Sequence, residues 1–410
     1  MKLVVLSPFV YYPGVPHGGG ALCWGQLEGL AAQHEIHFVA FAQKDSAELA
    51  AALPHLQRVC ASVTTVHQPL DKLTILRAKL AQLWLAPVGA SICDVPAMRM
   101  ALQQTLERTQ ADAALVQFPQ MAQYVATCGG VPTLMDVQDA YSVSAYRQYK
   151  AAGSSVKRLL GFLNWLGWLR YESRWYAKFS AVAALTEQDR LGLEVFSPGL
   201  AAATSPAAVA IPEQAWAPVS TQKIAFIGSF THQPNVAALF FFIEQVLPLV
   251  LQAYPDAVFE VAGKGVPPAA LALGNRNIQF VGMVPDAYDF VRSAAVVVVP
   301  LLSGGGIKIK TLEAMACGCP MVTTSIGAEE TGASDGEQML IADAPKHFAQ
   351  HVIALLGSPS LGLQLGANAR TLAQQHFSWP AKWASLSRLL EHAVDRHKAM
   401  TTTTSKGTQV

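Results

Sequence analysis

The sequence predicts an α/β protein built as two facing Rossmann-like domains with a cleft between them. Three observations carry this expectation. The chain has 410 residues, beyond the roughly 250–300 at which a single core stops growing, so two domains of about 200 residues are expected. Short apolar runs alternate with helical segments through both halves, the mark of βαβ units around a parallel sheet covered on both faces. Finally, the alternation breaks once, around Ser197–Val219, where Ser197-Pro198-Gly199, an alanine run, Ser205-Pro206, Pro212 and Pro218 read as a linker.

In the first half the strand candidates are Leu3–Leu6, Ile36–Phe41, Ser62–Val66, Ala114–Val116, Pro132–Met135 and Ala181–Leu185. Helical periodicity fills segments between them, as in Gly20–Ala32 and Val95–Arg108. After the linker the pattern restarts with strand Lys223–Ile227, helix Val236–Tyr254, and strands Val258–Val261 and Ile278–Val281. Helix Ala287–Ser293, strand Val296–Val299, helix Ile307–Cys317 and strand Met321–Thr323 follow. The expected boundaries are a first domain at 1–200, a linker at 201–220 and a second domain at 221–378. A last helix at 379–400 is read as packing back across the hinge, and the Thr-rich tail 401–410 as disordered.

Charge and composition narrow the function. Lys plus Arg (29) nearly balance Asp plus Glu (28), which leaves no basic field to attract nucleic acid. The chain is 51% hydrophobic and 14% charged, unlike a disordered protein. No apolar run reaches the roughly 18–20 uncharged residues expected of a spanning helix. Met1 leads straight into a strand-like run without a basic leader. The six cysteines are scattered and fit a reducing cytoplasm. The expected location is therefore cytoplasmic, with association to the inner face of the cell membrane as an option.

The chemistry concentrates in Pro300–Pro320. A buried strand runs into Gly304-Gly305-Gly306 and then into a helix carrying Ile307, Lys308, Lys310 and Glu313. Glycines let backbone approach a ligand closely, and a helix start offers N–H groups to an anion. Lys310 and Glu313 are three apart and share a helix face. Such a pair beside a phosphate cradle suits a nucleoside diphosphate, the ammonium taking phosphates and the carboxylate ribose hydroxyls. A bare Gly-Gly-Gly would more often be a turn beside a solvated ion pair; the strand before it and the helix after it favour the ligand reading.

Gly304–Pro320 resembles the donor-site signature of glycosyltransferase family 4, the group 1 glycosyltransferases, which are retaining enzymes of the GT-B fold. The resemblance continues through Val322–Thr324, Ile326–Glu329, Phe226–Ser229 with Gln233-Pro234-Asn235, Phe280–Val284 and Phe377-Ser378-Trp379. In that family two glutamates separated by seven residues bracket the loop. Glu313 matches the second, which binds the donor ribose, whereas the first falls on Gly305. The loop looks like that of an exopolysaccharide-type branch with Gly-Gly-Gly-x-Lys-x-Lys. The family's basic pair after the first strand of the second domain is also missing, since Gly228–Asn235 holds no basic residue except His232. Lys308 and Lys310 are then the cations left for the diphosphate, with Gly228 and Gly304–Ile307 as backbone contacts. Met283 and Val284 match the place where the family's nucleobase lies. The resemblance implies chemistry without a metal, and no Asp-x-Asp is present to hold one.

Other positions stay open between two readings. Gly18-Gly19-Gly20 is either a phosphate- and acceptor-facing loop or a plain turn, with His17 beside it as a further phosphate donor. Asp139 either orients an acceptor hydroxyl or caps the helix beginning at Tyr141. Gln138 is the nearest match to a family histidine that touches the donor sugar. Val156–Phe179, rich in Trp and Arg, is either a membrane-surface helix or a helix packed on its own domain. The function expected is a metal-independent retaining hexosyltransferase with no cofactor. It would move sugar from a nucleotide-sugar donor to a saccharide or lipid-linked acceptor, in exopolysaccharide or glycolipid synthesis. The alternatives are a nucleotide-sugar epimerase on the same fold and an inactive nucleotide-sugar-binding subunit.

Overall fold

The computed structural model describes every residue except Pro16, His17, Lys44 and 407–410; the expectation for His17 therefore lies outside the described residues. The chain divides into two compact units, Met1–Pro206 with Lys382–Val410, and Ala207–Ala381.

The first unit is built on a seven-stranded sheet of β1 (Lys2–Ser7), β2 (Glu35–Ala42), β3 (Ser62–His67), β4 (Ala113–Gln117), β5 (Thr133–Asp136), β6 (Ala181–Ala184) and β7 (Ala202–Thr204). Its order is β3-β2-β1-β4-β5-β6-β7, with parallel pairing throughout. Leu3 to Leu6 are fully buried because both faces of the sheet are covered: Val4 and Leu6 enter one apolar core, Leu3 and Val5 the other. That is why these strands read as continuous apolar runs rather than alternating ones. The second unit carries β8 (Lys223–Ile227), β9 (Val258–Ala262), β10 (Ile278–Gly282), β11 (Val296–Val299), β12 (Met321–Thr323) and β13 (Leu340–Ile341). Their order is β10-β9-β8-β11-β12-β13, again parallel. Both orders reverse direction once, between β1 and β4 and between β8 and β11. Ligands bind beyond the carboxyl ends of the strands at such switch points.

The secondary structure differs from the sequence reading at several places, and helix Gln233–Ala253 is longer and more apolar than the expectation of no span-length run allowed. The alanine run assigned to the linker contains β7, an edge strand whose Ala202–Thr204 pairs with Val182–Ala184 of β6. Small side chains gave it no apolar signature, yet backbone pairing needs none. Gly18–Gly20 is not a loop: it forms the first turn of helix Gly18–Ala31. The helix after the second glycine triplet begins at Ile309, two residues later than expected. The last helix, Trp379–Lys406, continues into the segment expected to be disordered, while 407–410 lie outside the described residues.

That last helix belongs to the first unit. Leu386, Leu390 and Ala393 are fully buried in its core, Trp383 Nε1 donates to Gly25 O (2.8 Å), and the buried Lys382 donates to Ser205 O (2.6 Å). In the second unit, Gln233–Ala253 is long and apolar enough to cross a membrane by length and composition. Its Leu239, Phe242, Val246 and Val250 are fully buried, the placement of a core helix.

Candidate functional site

At the switch point of the second unit, two loops emerge side by side. The first follows β8 and begins at Gly228; the second follows β11 and runs through the glycine triplet to helix Ile309–Cys317. Gly304 lies against Pro234, 3.8 Å from where its Cβ would stand. Gly304 and Gly306 have φ of +116° and +69°, conformations that glycine adopts without strain. No side chain caps the start of helix Ile309–Cys317, so its first N–H groups face the loop side unpaired by a side chain. At its other end Gly318 closes the helix in the left-handed region (φ +71°).

Lys310, in the first turn, is the side chain that joins the two loops. Its Nζ donates to Asn235 Oδ1 (2.5 Å), and Asn235 Nδ2 donates in turn to Ser229 O (2.7 Å). The ammonium lies 5.0 Å from the centre of the Phe226 ring and 3.0 Å from where a Cβ on Gly228 would be. Burial pushes its pKa down to about 8, with Lys308 adding to the shift and Glu313 opposing it. Glu313 follows one turn later and is half-buried. Burial raises its carboxyl to about 7 against the pull of Lys310, and Asp286 adds to the rise. Among the described residues no group donates a hydrogen bond to Glu313, so its carboxylate is open to a ligand. Both groups are half-buried, and burial moves each towards the neutral range, as is common for functional ionisable groups.

Lys308 is placed differently from the expectation that made it a second phosphate cation. It is outside the helix, as its N-cap, and buried. Its Nζ donates to Gly306 O and pairs with Glu329 Oε2 at 3.0 Å. The pair neutralises the ammonium and ties the glycine loop to the segment after β12. Glu329 thus anchors the loop. Thr324 supports the same region, accepting from Gly327 N (3.1 Å) and donating to Leu301 O (2.5 Å).

Beside Gly228, a cavity of about 260 Å³ is lined by Ile227, Gly228, Gly263, Lys264, Met283 and Val284. Met283 is 71% exposed at the edge of this cavity. The cavity exists because Gly263 packs directly on Gly228: a Cβ on Gly263 would fall 1.8 Å from Gly228 O. Sequence reasoning brought Gly228, Met283, Val284, Gly304–Ile307, Lys310 and Glu313 to this unit, and all lie on its strand ends or the loops and helix after them. It missed the linking role of Asn235 and the exposed cation Lys264; the Gly263-Lys264-Gly265 spacing was the available signal for the latter. Another cavity, of about 680 Å³, is lined by Arg99, Glu107, Cys128 and Val131. It sits by the segments leading into β4 and β5, away from the carboxyl ends.

In the first unit, Asp139 does not cap the helix Tyr141–Ala151, whose N-cap is Ala140. It is exposed and accepts from Ser144 Oγ (3.0 Å). Gln138 is buried in the left-handed region (φ +59°), its Nε2 donating to Asp136 Oδ2 (2.5 Å). Gly19 lies against Phe118 and Gly18 is open. No group of three His, Cys, Asp or Glu side chains converges among the described residues.

Residues 221–358 match the family model described as Glycosyl transferases group 1. A GDP-mannose-dependent monoacylated alpha-(1-6)-phosphatidylinositol monomannoside mannosyltransferase of Corynebacterium glutamicum is 26% identical over 160 residues, 36% of this chain and 42% of that protein. The matches span less than half the length of the curated relatives. Among solved structures, sucrose-phosphate synthase of Thermosynechococcus elongatus superposes with a TM-score of 0.67 at 16% identity, covering 95% of this chain and 98% of that one. The Anabaena protein HepE in complex with UDP gives 0.64 at 13%, covering 95% and 100%. With two parallel-sheet units, these likenesses make the fold GT-B.

Proposed function

We propose that the chain is a retaining glycosyltransferase that passes a sugar from a nucleoside diphosphate donor to a saccharide or lipid-linked acceptor, without a metal. The observation that carries this is the Lys310–Glu313 pair at an uncapped helix start, beside Gly228 and the cavity under Met283. The family match over 221–358 supports it, as does the likeness to a fold whose members include one solved with UDP. When the bond between sugar and phosphate breaks, negative charge grows on the departing diphosphate. Lys310 and the helix N–H groups would stabilise that charge as it develops. Glu313 would accept from the ribose hydroxyls, and Met283 with Val284 would cover the base. Gly305 leaves the sugar itself without the carboxylate that related loops carry, so sugar contacts from this loop would come from its backbone. Six buried free cysteines support work in a reducing cytoplasm, in exopolysaccharide or glycolipid synthesis.

Donor turnover measured across pH in excess EDTA tests this reading. Glu313 must be ionised to accept from ribose, so kcat/KM should rise as pH passes about 7. Lys310 must be charged to hold diphosphate, so it should fall as pH passes about 8. The expected profile is a narrow bell whose two limbs belong to the coupled pair. Product with inverted anomeric configuration, or activity that EDTA abolishes and Mg²⁺ restores, would overturn the mechanism. Tight nucleotide binding with no turnover would favour a binding subunit.

A further inference from the structure

Helix Lys72–Ala81 in the first unit is built inside out. It buries Ala78 and half-buries Thr74 and Ile75. The leucine stripe Leu73, Leu76 and Leu80, at i, i+3 and i+7, faces solvent instead, each 54–55% exposed. The following turn continues the stripe with Leu83 at 61% and Trp84 at 82% exposed. A second element meets it: Gln82 Nε2 donates to Leu160 O (3.1 Å), at the amino-terminal half of helix Ser155–Tyr176. There Val156, Leu159 and Leu160 are 46–70% exposed. Two elements far apart in sequence, joined at this hydrogen bond, thus bring their exposed apolar side chains to one face.

The charges around this surface are mostly basic; the acidic exceptions next to it are Asp71, which caps helix Lys72–Ala81, and Asp94, which follows the Trp84 turn. Residues 72–93 contain Lys72, Arg77 and Lys79 and no Asp or Glu; residues 140–171 contain Arg147, Lys150, Lys157, Arg158 and Arg170, again with no Asp or Glu. Trp84 also lines a cavity of about 380 Å³ whose charged walls are Arg170, Arg174 and Asp94. The surface is not where the tryptophans of the long helix suggested. Trp168 is buried, and Trp165 packs on Tyr149 and Tyr146 with ring centroids 6.1 and 5.0 Å apart.

We propose that this face, formed by Lys72–Trp84 and Val156–Leu160, docks onto an anionic lipid bilayer. Leucine and tryptophan enter the acyl boundary, and the surrounding lysines and arginines pair with headgroup phosphates. A second copy of the chain is a poorer occupant, since a self-complementary contact would bring eight cations against their own symmetry mates with only Asp71 and Asp94 close by to offset them. Membrane docking would hold the first unit beside a lipid-linked acceptor, but the surface is read independently of the donor site.

Flotation of the full chain with vesicles tests it without donor or acceptor, so the result is separable from the glycosyltransferase reading. Equimolar phosphatidylglycerol and phosphatidylcholine vesicles at low salt should carry the wild type, and pure phosphatidylcholine vesicles far less. Leu76→Ser with Leu80→Ser and Trp84→Ser should lower binding at least about ten-fold with an unchanged melting temperature, because these side chains are already exposed. Lys79→Gln and Lys157→Gln should each weaken it about five-fold. Failure of the wild type to float with anionic vesicles, or equal flotation of the triple variant, would overturn the proposal. So would a vesicle-free dimer in sedimentation that the triple variant dissolves.

Discussion

Lys310→Ala is expected to lower kcat by about 10²–10³-fold while raising the donor KM much less. The diphosphate carries more charge in the transition state than in the bound donor, so a cation beside it acts mainly on the chemical step. Lys310 is suited to this because its position is fixed before any ligand arrives. Asn235 Oδ1 accepts a hydrogen bond from it, the Phe226 ring lies 5.0 Å away, and the side chain is half-buried. Lys308→Ala should behave differently. Its ammonium is already paired with Glu329, so its loss loosens the glycine loop and lowers stability more than it slows the reaction. Equal losses in kcat for the two variants, or none for Lys310→Ala, would move the phosphate contact elsewhere.

Gly263→Ala is expected to have the largest effect on stability, more than about 3 kcal/mol. Two penalties add. The residue sits at φ +133°, which an L side chain rarely adopts. Its new Cβ would also fall 1.8 Å from Gly228 O and 2.9 Å from Gly228 C, backbone atoms that cannot turn aside. Moving Gly228 shifts Ser229, which Asn235 holds, and with it the anchor of Lys310. Nucleotide binding should therefore fail even in the fraction that stays folded. Gly306→Ala is the comparison: it has φ +69° with nothing within 4 Å of the new Cβ, so only backbone strain of about 1 kcal/mol is expected. Urea denaturation of both variants separates the two cases, and similar midpoints would show that the Gly263–Gly228 contact is not tight.

Much of this was legible in the sequence because it rests on local signals. Val296–Val299, the glycine triplet and the Lys310–Glu313 spacing announce a strand, a backbone approach and a helix within some twenty residues. What escaped depends on contacts between distant residues. Nothing in the neighbourhood of Lys308 shows that Glu329 neutralises it, so it read as a free cation. The resemblance covers Gln233-Pro234-Asn235 but does not show that the Asn235 side chain holds Lys310, 75 residues away. The alanines of β7 resemble a linker because an edge strand can be held by backbone alone. The leucine stripe of Lys72–Ala81 is the sharpest case, since periodicity gives a face but not its direction. Ordinarily such a stripe is core; here Ala78 is on the inside.

Calorimetric titration of UDP, GDP and ADP into the wild type and Glu313→Gln, at a pH just above 7, addresses the donor site most directly. A ribose held by an ionised Glu313 requires that at least one of these nucleotides bind the wild type. It also requires that the amide weaken that binding by about 1–3 kcal/mol, since a charge-assisted hydrogen bond becomes a neutral one. No binding by any of the three, or the same affinity in both proteins, would remove the nucleotide from Glu313.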